Sequence, residues 1–93
     1  MPDECMAVDE NASQILRQGY ARIKVKRAGI LQFQVFKVKR VELGENTFVE
    51  LFLDRLLGMS EMLRVANETG LPVESENRRV FPEGKGAKDF AGL

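Results

Sequence analysis

Apolar and polar residues alternate without a break from Tyr20 to Lys26, so that in an extended chain Ala21, Ile23 and Val25 share one side and Arg22, Lys24 and Lys26 the other. The pattern predicts a β-strand over residues 20–26. Arg27-Ala28-Gly29 fits a three-residue loop whose last position suits glycine, and residues 30–43 then read as the returning strand of a β-hairpin. That loop sets Val25 opposite Leu31, Ile23 opposite Phe33 and Ala21 opposite Val35, all apolar, and puts Gln32 and Gln34 beside the basic residues of the other face. Past Val35 the apolar positions shift to Phe36 and Val38. A β-bulge near Val35-Phe36 accounts for the shift and leaves Lys37 and Lys39 on the face of Arg22 and Lys24.

On either side of the hairpin the spacing favours helices. Asp9 or Asn11 can cap a short helix over about 10–18 that carries Ile15 and Leu16 and stops at Gly19. Thr47-Phe48-Val49-Glu50 reads as a capping box, and Phe48, Phe52, Leu56, Met59, Leu63 and Ala66 form one apolar stripe, which predicts a helix over about 47–69. The competing reading makes 47–53 a third strand and starts the helix at 54, and Gly58 marks a place where the stripe can break. Gly70-Leu71-Pro72 is a helix-terminating signal. Residues 73–81 suit a short helix or a returning strand. Residues 1–8 lack a period and read as a loose leader, and 82–93, rich in glycine, read as a flexible tail. The sum is one small α+β domain, with a hairpin of about 20–26 and 30–43 packed on a C-terminal helix.

Composition narrows the chemistry. An apolar fraction of 44% and a charged fraction of 30% over 93 residues suit one packed core. There is no histidine and one cysteine, Cys5, so histidine-dependent catalysis, zinc sites and intrachain disulfides are excluded, and a reducing, cytoplasmic setting is expected. The start of the chain is acidic, and no apolar run nears the roughly 18 residues that span a bilayer, so no membrane association is expected.

The net charge of zero conceals segregation. Residues 1–10 carry four acids and no base, 11–40 carry eight bases and no acid, and 41–76 carry eight acids against Arg55 and Arg64. The acid-free stretch contains the hairpin. Arg22, Lys24, Lys26, Lys37 and Lys39 on its outer face, Arg27 at its tip, and Gln32 and Gln34 among them form a candidate nucleic-acid-binding site: the cations neutralise phosphates, and glutamine can hydrogen-bond base edges if the ribbon enters a major groove. Glu50 and Asp54, one turn apart on the expected helix, read as a solvated acidic face. Gly84-Lys85-Gly86 lacks the Ser or Thr of a phosphate-binding loop. The expectation is therefore a non-enzymatic protein without metal or cofactor, possessing a basic hairpin for DNA or RNA in a regulatory role and forming a homodimer. The alternative is a protein–protein adaptor or structural subunit assembling through complementary acidic and basic faces.

Overall fold

In the computed structural model, which describes residues 10–91, the first element is helix α1, Glu10–Gln18. The leader expected over residues 1–8, with Cys5, lies outside the described residues. Ala12 and Ile15 bury one side of α1, and Gly19 ends it: its φ of +85° turns the chain, and its amide donates to the Ile15 carbonyl at 2.8 Å. The strands that follow are β1 (Tyr20–Arg27), β2 (Ile30–Leu43) and β3 (Asn46–Leu53); then come α2 (Met59–Thr69), β4 (Val73–Ser75), β5 (Arg78–Val80) and a 3-10 turn, Ala87–Phe90. The strands form one sheet in the order β1-β2-β3-β4-β5. All neighbours are antiparallel except β3 and β4, which run parallel and are joined through α2.

The segment after residue 46 departs from the helix predicted over 47–69. It is a strand to Leu53, as the competing reading had it, and the helix begins only at Met59, just after Gly58. The cause is double-sided burial: Leu51 and Leu53 enter the core on one face while Phe48 and Glu50 are buried on the other, so β3 shows no polar alternation. Its apolar run happens to be in phase with the helix beyond it. The end of α2 is as predicted, with Gly70 left-handed at φ 75° and its amide on the Ala66 carbonyl.

One face of the sheet holds the core. Ala21 and Val25 from β1, Phe36 from β2, Leu51 and Leu53 from β3 and Val73 from β4 pack against Ala12 and Ile15 of α1 and Met62, Val65 and Ala66 of α2. Each large side chain so buried contributes about 1.5–3 kcal/mol. Helix α2 also guards the sheet edge at β1. Glu61 Oε1 accepts from the Lys26 amide at 3.0 Å, and the Arg64 guanidinium donates to the Lys24 carbonyl, so outward-facing backbone groups of the edge strand are occupied. Arg64 holds Glu61 in turn at 2.9 Å, and together with the Lys26 amide it keeps the Glu61 carboxyl below its usual pKa.

Residues 82–91, expected as a flexible tail, fold back. Phe90 is 4% exposed and stacks on Phe81 with ring centroids 6.1 Å apart, and Phe81 in turn meets Phe48 at 5.7 Å. One aromatic anchor outweighs the glycine-rich composition around it.

Candidate functional site

The hairpin register differs from the one predicted, and the difference rebuilds the site. The connection is a two-residue turn, Ala28-Gly29, with φ of +54° and +78°, and Arg27 pairs with Ile30. Two successive positive φ angles mark the tight turn whose twist matches that of the strands it joins. From this turn the ladder runs unbroken: Lys26 opposite Leu31, Lys24 opposite Phe33, Arg22 opposite Val35, Tyr20 opposite Lys37. There is no bulge near Val35-Phe36. Residues directly opposite share a face, so one face carries Tyr20, Arg22, Lys24 and Lys26 from β1 beside Leu31, Phe33, Val35, Lys37 and Lys39 from β2.

The five cations expected together, Arg22, Lys24, Lys26, Lys37 and Lys39, therefore do share the outer face, and all are exposed. Gln32 and Gln34 do not join them. They pair with Val25 and Ile23 on the inner face and are half-buried there. Arg27 also points inward, into an open cleft of about 540 Å³ between the hairpin tip and the start of α2, where its Nε is shielded from solvent without a hydrogen-bond partner. In place of the glutamines the outer face presents apolar side chains that were expected in the core: Leu31 is 58% exposed, Phe33 49% and Val35 53%.

The cations lean on this apolar row. The Arg22 guanidinium lies 4.0 Å from the centroid of the Phe33 ring and the Lys24 ammonium 5.3 Å from it. Such contacts are worth about 0.5–1 kcal/mol at exposed sites. Among the described residues no carboxylate is within ion-pair distance of Arg22, Lys24, Lys26 or Lys37. Lys39, farther along β2, reaches Glu74 at 3.6 Å and sits 4.6 Å over the Phe52 ring, at the border of the patch.

Beyond Lys39 the same face changes character. Glu50, expected on a solvated acidic face, has no solvent exposure; Arg79 donates to it through Nε at 2.6 Å and Nη2 at 3.4 Å. Burial pushes the Glu50 carboxyl up to about 7, against the pull of Arg79 and with the added push of the Glu74 carboxylate beside it. Glu74 moves the opposite way, held below its usual range chiefly by its hydrogen bond with Glu50 and then by Lys39 and Arg79. The two neighbouring carboxyls are thus displaced in opposite directions, the buried one up and the other down. Asp54 lies exposed past the end of β3 and does not join them.

The residues missed in the sequence are Leu31, Phe33 and Val35 as surface groups. A signal for them exists. With a two-residue loop, residues 31–39 need a single strand phase and no bulge, which is one assumption instead of two. No protein-family model matches the chain, and no curated protein or solved structure matches it either. No helix among the described residues is long and apolar enough to cross a membrane.

Proposed function

We propose that this protein is a non-enzymatic nucleic-acid-binding protein and that the outer face of the β1-β2 hairpin is its binding surface. One observation carries the reading: exposed Arg22, Lys24, Lys26 and Lys37 from two adjacent strands share one sheet face with exposed apolar side chains and with no acid among them, and Lys39 stands at the acidic border of that patch. A nucleic acid satisfies both halves of that surface, since its phosphates meet the cations and release counterions while its bases and sugars meet the apolar row. Base-edge readout by Gln32 and Gln34 has no part in it, because both face inward. The residues proposed to contact the ligand are Arg22, Lys24, Lys26, Lys37, Lys39 and Phe33.

Binding of duplex and single-stranded oligonucleotides across 50 to 200 mM salt, roughly the range over which phosphate contacts dominate the affinity, tests the reading. Five neutralised phosphates give a slope of log affinity on log salt of about −3.5 to −4.5. Changing Lys24, Lys37 and Lys39 together to Glu is expected to abolish detectable binding. Affinity indifferent to salt and to those changes would overturn the proposal.

A second reading rests on the aliphatic members of the row. Leu31 and Val35, more than half exposed, would also suit the centre of a protein interface whose basic rim meets an acidic face of a second copy or of another protein. Light scattering across ionic strength distinguishes it, since an assembly made this way grows at low salt in the absence of nucleic acid.

A further inference from the structure

Resting on the nucleic-acid reading above, the geometry points to a narrower ligand: we infer that the surface takes a single strand, with its sugar-phosphate backbone along β1 and its bases over the neighbouring row of β2. The two strands of the hairpin divide the labour. On the outer face β1 offers only Arg22, Lys24 and Lys26 past Tyr20, and β2 offers only Leu31, Phe33 and Val35 before Lys37. Cations recur about every 6.8 Å along β1, a spacing that suits successive phosphates of an extended strand. The apolar row lies one strand away, about 4.8 Å across the sheet, close enough for bases attached to that backbone to rest on it.

A duplex fits this arrangement poorly. Its two phosphate lines flank a major groove about 12 Å wide and call for cations on both sides of an inserted ribbon, with hydrogen-bonding side chains between them. Here the middle of the ribbon carries cations on one strand only, and the side chains facing outward beside them are Leu31, Phe33 and Val35, which can neither donate nor accept a hydrogen bond. Phe33 is the stacking element. Its ring is half exposed, and the Arg22 guanidinium stacks over it at 4.0 Å, so that a base lies on the outer side of the guanidinium or takes its place on the ring.

Fluorescence anisotropy on the full chain tests this, with labelled oligo-dT and oligo-U of about 12 nucleotides, within the span a small single-strand binder covers, against a hairpin duplex of the same length. The single strands are expected to bind more tightly at every salt concentration. Phe33→Ala is expected to weaken them about fivefold to a hundredfold, the range that one base–aromatic stack supports, and to weaken the duplex less. Phe33→Leu, still apolar, is expected to remain weak, and Phe33→Trp to restore binding. Tight binding to either oligomer supports the inference, and the better of the two distinguishes RNA from DNA. Duplex bound as tightly as single strand, or single-strand affinity unaffected by Phe33→Ala, would overturn the inference and leave the broader reading standing. Binding to neither would sink both.

Discussion

Phe48 and Phe33 project from the same face of the same sheet on adjacent parts of the ladder, yet Phe48 is 1% exposed and Phe33 49%. Over β3 the face is closed by the chain's own C-terminal segment: Phe81 and Phe90 cover Phe48, and Arg79 hydrogen-bonds the buried Glu50 beside it. Over β1 and the first half of β2 Leu31, Phe33 and Val35 stay about half exposed, and the Phe33 ring is met by Arg22 and Lys24. One half of the face spends its apolar side chains on stability. The other half keeps them at the surface, with Arg22 and Lys24 over the Phe33 ring. A fold that needed those side chains for its core would have buried them, as it buries Phe36 on the opposite face.

The largest effects should come from removing the cover. Phe90→Ala empties a buried site and should destabilise the protein by about 3 kcal/mol or more, whereas Phe33→Ala should change stability by less than about 1 kcal/mol; denaturant unfolding of the two variants breaks the comparison if the losses are alike.

Next in size is the pH dependence of the covered half. In the fold Glu50 binds its proton with a pKa of about 7, against 4.5 for an ordinary glutamate, so its contribution to stability is complete below about pH 4.5 and is lost as pH rises through 7, a loss of up to about 3 kcal/mol. Glu74 and Glu61 act in the opposite sense: both are held below 4.5, and what they contribute disappears only in stronger acid, as pH falls through their lowered values. Stability should therefore peak at mildly acidic pH. Glu50→Gln, which can still accept from Arg79, should remove most of the decline between pH 5 and pH 8 in a series of thermal melts, and an unchanged decline would assign it elsewhere.

Smaller effects are expected at the hairpin itself. Glu61→Ala releases the Lys26 amide and one partner of Arg64, and should cost about 1 kcal/mol while raising hydrogen exchange at Lys26. Ala28→Asn places a residue that tolerates a left-handed backbone at φ +54° and should stabilise the turn by about 0.5 kcal/mol. A destabilised Asn variant would mean that Ala28 has a packing role that its exposure does not suggest.

How much of this was legible in the chain depends on how many faces of each element carry apolar residues. β1 has one, so Ala21, Ile23 and Val25 announced a strand and Arg22, Lys24 and Lys26 an exposed row. Lys37 and Lys39 were expected on the same face only by way of a bulge that the ladder does not have. β3 has two, and with both faces buried the period-2 signal vanished and Phe48 and Phe52 read as part of a helix. In β2 the rule that apolar side chains face inward assigned Leu31, Phe33 and Val35 to the core and required a bulge to bring Phe36 back. Hydrophobicity alone cannot mark an apolar row built for the surface; the turn could, since Ala28-Gly29 alone keeps one phase from Ile30 to Lys39. Phe90 was hidden differently, as a single anchor in a segment whose glycines dominate its composition.

The central claim is that the open half of the outer face is where a nucleic acid binds. Amide chemical shifts of the full chain, followed during titration with a single-stranded oligonucleotide at low salt, test it most directly. The account predicts that the shifts concentrate at Arg22 to Lys26 and Leu31 to Lys39 and leave Phe48, Phe81 and Phe90 unmoved. Shifts centred on α2 or on the covered half, or none at saturating oligonucleotide, would contradict it.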